Sequence, residues 1–239
     1  MKFSLKLVTV FSLLMLLPLS SHAHRAWILP GATVLSSDDP WVTFDAAISN
    51  DIFHADYFPM RVDSVQVLSP AGNNAELQNV HTGKYRTNFD LNLTERGTYR
   101  VFTASQGLRA RWETEAGEHR GWPGRGESYS EEGFAKNVPA NAKNLQVTEF
   151  SRRMETFVTA GAPTEEVLKP SGKGLELVAL THPNDLFSGE AAQFQFVING
   201  EPAVGATVEI IPGGMRYRNS QDALELVTDA AGKITVKWP

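Results

Sequence analysis

Short apolar runs separated by turn-forming residues dominate the chain, and this pattern constrains the fold more than any other feature. Ala26–Leu29, Trp41–Ala46, Ser64–Leu68, Phe89–Leu93 and Thr98–Thr103 are rich in β-branched and aromatic residues. Several alternate apolar with polar, as strands with one buried face do. Between them lie Pro30-Gly31, Asp38-Asp39-Pro40, Pro70–Asn74 and Arg96-Gly97, which are turn chemistry. No long segment keeps a helical period. The chain is therefore expected to be all-β, and short strands with such frequent turns predict β-sandwich architecture.

Residues 24–160 read as an N-terminal sandwich domain, closed by predicted strands at Asn144–Phe150 and Met154–Thr159. Within it, residues 115–144 carry five glycines among charges, with Trp122, Tyr129 and Phe134 interspersed. This stretch is expected to be a long loop, either a mobile excursion or a binding lid. Residues 161–174, with Gly161-Ala162-Pro163-Thr164 and Lys169–Gly174, read as a linker. A second, smaller domain is expected over 175–239, with Asn199-Gly200 as a two-residue hairpin turn. Asn199–Val208 and Thr228–Gly232 resemble parts of small secreted immunoglobulin-like or prealbumin-like sandwiches. That resemblance implies one more hairpin after Trp238, so the second domain is expected to be truncated at Pro239, with an exposed sheet edge.

The amino-terminal segment sets the compartment. Lys2 and Lys6 precede an apolar run from Leu7 to Leu17, Pro18 ends it, and Ser21-His22-Ala23 offers a cleavage pattern. Residues 1–23 read as a secretory signal peptide, and periplasmic localisation is expected. The apolar run is short for a bilayer span, and no later segment is long or apolar enough, so the mature chain is expected not to span a membrane. Removing 1–23 from 239 residues leaves 216, and losing Lys2 and Lys6 moves the formal charge from −5 to −7. That balance argues against a nucleic-acid partner. There is no cysteine, so stability must come from the core rather than from disulfides.

Cleavage after Ala23 would make His24 the first mature residue. Its α-amine and ring Nδ1 can then close a chelate on one metal ion. Such groups ordinarily lose their protons near about 7.7–8.0 and about 6.5. Nitrogen donors in this arrangement suit Cu(II) or Ni(II), and one more imidazole would complete a three-nitrogen brace. Among possible partners, His54 directly follows a predicted strand and has Asp56 two residues on, able to ligate or to orient a ring. His182, in Thr181-His182-Pro183-Asn184-Asp185, is either a further ligand or a turn histidine. His119 falls in the glycine-rich stretch, and His81 reads as a hairpin tip. No Gly-x-Ser-x-Gly, no cysteine nucleophile and no phosphate-cradling glycine loop is present. A non-enzymatic role is expected.

Ala23-His24-Arg25-Ala26-Trp27-Ile28-Leu29-Pro30 resembles the opening of a family of bacterial periplasmic proteins, some described as the periplasmic component of a cobalt or nickel transport system. Ser49–Phe53, Val158–Thr164, Gly174–Leu177 and Thr181–Leu186 extend the resemblance over nearly the whole mature chain. It implies a metal-binding accessory protein delivering nickel, cobalt or copper to a transporter of the inner or outer membrane. Only His24 is carried over as a ligand by the resemblance; His54, Asp56 and His182 rest on chemistry. Two other readings stand beside it. One is a non-catalytic adhesion, glycan- or protein-binding module using Trp122 and Tyr129. The other is a histidine-brace copper oxygenase.

Overall fold

The computed structural model describes residues 24–124, 126–214 and 217–238. The expected signal peptide, residues 1–23, lies outside the described residues. Two sheets face each other in the first part of the chain. One has the order β1 (Arg25–Pro30), β3 (Trp41–Ser49), β8 (Thr87–Asn92) and β7 (Gln78–Thr82), with β4 (Phe58–Pro59) beside β3. The other has the order β2 (Val34–Leu35), β11 (Lys143–Ala160), β9 (Gly97–Glu113), β5 (Gln66–Leu68) and β6 (Asn74–Ala75), with β10 (His119–Trp122) beside β9. The all-β expectation holds.

Side-chain alternation fixes the register. In β3, Val42, Phe44 and Ala46 point inward, and in β8 Thr87, Phe89 and Leu91 do. Phe44 lies directly opposite Phe89, and their rings stack at 4.9 Å. A one-residue slip would turn the whole apolar row to solvent, which is why such patterns hold register tightly. Ile28 joins them from β1, and Val67, Tyr99, Val101 and Val158 close the core from the second sheet. The buried Tyr99 phenol accepts a hydrogen bond from the Glu95 N–H at 2.7 Å.

The structure departs from the sequence reading between residues 97 and 160. The two strands expected at Asn144–Phe150 and Met154–Thr159 are one strand, β11, paired with β9 from Ala160↔Gly97 outward. Both strands outrun the sandwich as a two-stranded arm. Residues 115–144, expected to be a long loop, are built onto the end of that arm. They contribute β10 and a short helix α1 (Glu131–Asn137). Ser130 caps α1 by accepting from Gly133 N–H at 3.0 Å, with Glu131 and Glu132 in the first turn and Lys136 in the last. A second small core forms there from Ala110, Trp122 and Val138, covered by Trp112, Tyr129, Phe134 and Leu145. Gly107 makes room for it. A Cβ at that position would lie 2.3 Å from the Tyr129 ring.

The remaining strands form a four-stranded sheet, β12 (Leu175–Ala179), β13 (Ala191–Ile198), β14 (Glu201–Pro202) and β17 (Lys233–Lys237), and a two-stranded one, β15 (Thr207–Ile210) and β16 (Leu224–Val227). Asn199 and Gly200 take φ of +53° and +83° between β13 and β14. This is the left-handed pair that an Asn-Gly hairpin turn demands. Asp229 accepts from the N–H groups of Ala231 and Lys233 at 2.8 and 2.9 Å, closing the turn into β17.

Residues 161–174 are packed rather than free. Val167 is buried, and its carbonyl accepts from Arg100 at 3.3 Å. The following loop wraps the Glu176 carboxylate, whose residue is 1% exposed. That carboxylate accepts from the N–H groups of Ser171, Gly172 and Lys173 at 2.8, 2.7 and 3.2 Å. Ser171 Oγ donates at 2.8 Å and Arg153 Nη2 at 3.3 Å. Burial pushes Glu176 up, but these donors and the Arg153 charge outweigh it and hold the carboxyl below the ordinary glutamate value.

Candidate functional site

The outer face of the first sheet, opposite the core, carries the site. Because Ile28 faces the core, Trp27 and Leu29 face outward. Strand register then places Leu29 opposite Asp45, Asp45 opposite Asn88, and Asn88 opposite His81. That row crosses all four main strands. His81 is therefore a strand residue in β7, beyond the hairpin tip that the sequence suggested. The tip itself is closed by Gly83 N–H donating to Arg86 O at 2.9 Å.

The loop after β3 folds over this face. Trp27 Nε1 donates to Ser49 Oγ at 2.7 Å, and Ser49 Oγ donates to Asp51 O at 2.6 Å. Phe53 packs edge-on against Trp27, with centroids 5.7 Å apart. It does so at φ +63°, a conformation that costs a bulky L-residue energy and persists only when its surroundings impose it. The opening segment and the Ser49–Phe53 segment, both part of the family resemblance, thus meet in one hydrogen-bonded and aromatic contact.

His24, exposed at the entrance to β1, stacks on Tyr57 with centroids 3.9 Å apart and planes 14° apart. Tyr57 in turn meets Phe58 edge-on at 4.5 Å. His24 is thereby laid against the loop that carries His54 and Asp56. The Asp56 carboxylate is already oriented by Asn50, accepting from its backbone N–H at 3.2 Å and from Nδ2 at 3.3 Å. His54 stands between two clefts. One, of about 340 Å³, is also lined by Asp51, Asp56 and Arg218. The other, of about 730 Å³, has Trp27 and Phe53 on one side and the β7–β8 hairpin on the other. Gly213, Gly214 and Tyr217, the last 85% exposed, close one side. Arg25 ties β1 to Glu209 at 2.8 Å, and Gln221 reaches Asp51 at 3.2 Å, so the later strands are fastened to this face.

In the larger cleft, Asp45 accepts from Asn88 and, at 3.2 Å, from Arg86. Lys84 lies over the Tyr85 ring at 5.1 Å. Among the described residues the rings of His54 and His81 have no hydrogen-bond partner. Lys84, Tyr85 and Arg86 are the residues that sequence reasoning passed over, and His81 was read only as a hairpin tip. The Lys-Tyr-Arg run beside a hairpin turn was the available signal.

His182 is placed elsewhere and does other work. Its Nδ1 accepts from Asn184 N–H at 3.0 Å, so the proton sits on Nε2, which faces Thr164 O at 3.2 Å and Thr98 Oγ1 at 3.0 Å. Both nitrogens are committed, and His182 does not fit a metal-ligand role. Around it, Thr159 Oγ1 donates to Asn184 Oδ1 at 2.8 Å, and Thr98 and Thr164 exchange 2.9 Å bonds. The Val158–Thr164 and Thr181–Leu186 segments thus lock the junction between the two sets of strands. His119 lies at the far end of the arm beside Arg111 and Arg120. Trp122, expected as a contact surface, is 7% exposed and packs on Tyr129 and Phe134; it is a core residue of the arm.

Fitness for a metal follows from this donor set. His24 meets the loop at Tyr57, and in that loop the exposed His54 ring has a nitrogen donor to offer while the Asp56 carboxylate is held by Asn50. Among the described residues no three His, Asp or Glu side chains converge into a cage, so any ion there needs donors beyond side chains, such as a terminal amine.

The fold and site together define a β-sandwich with an appended arm and an imidazole-lined, aromatic-walled cleft on one outer sheet face. The chain belongs to the family described as Domain of unknown function (DUF4198), which matches residues 21–239. No curated protein matches it. Among the described residues no helix is long and apolar enough to cross a membrane.

Proposed function

We propose that the protein is a periplasmic metal-binding accessory protein. It holds nickel, cobalt or copper at its mature amino terminus and passes the ion to an envelope transporter. The observation that carries this reading is the stacking of His24 on Tyr57, in the loop that bears His54 and Asp56. After cleavage behind Ala23, the His24 amine and ring supply two nitrogens of one chelate. The stack and the β1 pairing restrict the terminus, so little ordering entropy remains to be lost on binding. His54 is the nearest imidazole in sequence to that stack, and Asp56, oriented by Asn50, supports it.

The test is titration of the mature protein with nickel, cobalt and copper, beside a variant carrying one extra residue before His24. The extension moves the amine and opens the chelate ring. Losing an oriented supporting group typically weakens metal binding about 10–100-fold, so losing a direct ligand is expected to exceed that. Equal binding by the extended and native proteins sinks the reading.

A further inference from the structure

The larger cleft differs from the terminal site in its donors, its size and its charge. Its two uncommitted imidazoles come from separate elements, His54 from the loop after β3 and His81 from β7. Two imidazoles leave a divalent ion short of the four to six ligands it takes. At about 730 Å³, the cleft also far exceeds a single hydrated ion. Six water-sized ligands fill roughly 180 Å³, at about 30 Å³ per water. The cleft lies instead in the range typical of small-molecule sites. Its charge is biased: Asp45 is matched by Arg86, while among the described residues Lys84 has no carboxylate partner and lies only over Tyr85.

We propose that this cleft receives a divalent transition metal already carried by a small carboxylate chelator. His54 and His81 fill the open coordination positions of the complex. Lys84 faces its carboxylates, and Trp27 and Phe53 form the apolar wall. The chelator supplies the donors that the protein side chains do not. This inference rests on the metal-handling reading above; it shares His54 with the terminal site and adds His81 and Lys84, which the terminal chelate does not use.

The two can be broken separately. Nickel citrate, nickel chloride and metal-free citrate are titrated by calorimetry into the mature protein, His81→Ala, Lys84→Ala and the one-residue extension. The nickel ligand-field band is followed in parallel, because imidazole replacing oxygen shifts it. His81 and Lys84 are surface residues, and unchanged circular dichroism confirms folding. The expected result is nickel citrate binding that falls more than about 100-fold in His81→Ala and about 2- to 5-fold in Lys84→Ala. The extended variant should retain it, with the band shift intact. If His81→Ala binds nickel citrate like the native protein, or if citrate alone binds as tightly as the complex, the inference is overturned. Nickel chloride binding that remains sensitive to the extension would then leave the terminal reading standing. No heat from any nickel species removes both.

Discussion

At the junction, His182 has both ring nitrogens committed to backbone and hydroxyl partners, and Glu176 has five donors around one carboxylate. On the outer face of the first sheet, the rings of His54 and His81 have no hydrogen-bond partner among the described residues, and His24 makes only a ring stack. The same residue types serve opposite ends. Buried polar groups are costly unless satisfied, and once satisfied they are unavailable for a ligand. Exposed imidazoles keep water as a partner and can exchange it for something else. The segments that carry the family resemblance divide along this line: Val158–Thr164, Gly174–Leu177 and Thr181–Leu186 build the lock, while the opening segment and Ser49–Phe53 build the site.

Breaking the lock should have the largest effect on stability. Glu176→Ala leaves three backbone N–H groups and one Arg153 N–H without their acceptor, while Arg153 keeps Leu175 O and Glu155, and should cost about 3–5 kcal/mol, read by urea denaturation. The charge of Glu176 also makes stability pH-dependent. Its folded-state carboxyl lies below the ordinary value, so its contribution is full above about pH 4.3 and is lost as pH falls through that lower folded value. Denaturation from pH 7 to pH 3 should show a steep acid limb that Glu176→Gln flattens. Matching limbs would show that the cradle does not select the charged form.

Next in size is His182→Ala. It strands the Asn184 N–H and the Thr164 carbonyl, at about 1–3 kcal/mol. Nickel affinity of the folded protein should stay within about 2-fold of native, because the lock and the site share no ligand. A joint loss of stability and affinity would erase the distinction between the two regions.

The smallest stability change is expected for His24→Ala. The stack on Tyr57 is exposed, and an aromatic pair is worth about 0.5–1.5 kcal/mol at most. A thermal melt should barely move while the terminal metal titration collapses. A large stability loss would instead make His24 a structural anchor.

Much of the β architecture was legible because its signals are local. The alternation in Trp41–Ala46 reports which face of β3 is buried, and Asn199-Gly200 names its own turn. The arm was less legible. Seven residues of α1 are too few to display a helical period, though Ser130 followed by Glu131-Glu132 and closed by Lys136 is a capping pattern. Of the glycines that suggested a loose loop, Gly133 has a steric duty, admitting the edge of Trp122, and Gly107, outside that stretch, admits the Tyr129 ring. Of the four candidate ligands, His54 and Asp56 share the loop whose Tyr57 meets the His24 ring, whereas His182 lies at the junction with its nitrogens hydrogen-bonded. A histidine beside a proline turn reads the same whether its nitrogens face solvent or a buried threonine.

The sequence by itself determined the strand character, the inward faces and the tight turns, because each depends on neighbours within a few residues. Only the tertiary structure decided that Leu29, Asp45, Asn88 and His81 form one row, and that Glu176 lies in a cradle from the preceding loop. Register across strands and the satisfaction of buried polar groups are settled by contacts between distant segments, and no local pattern encodes which distant partner a side chain will meet.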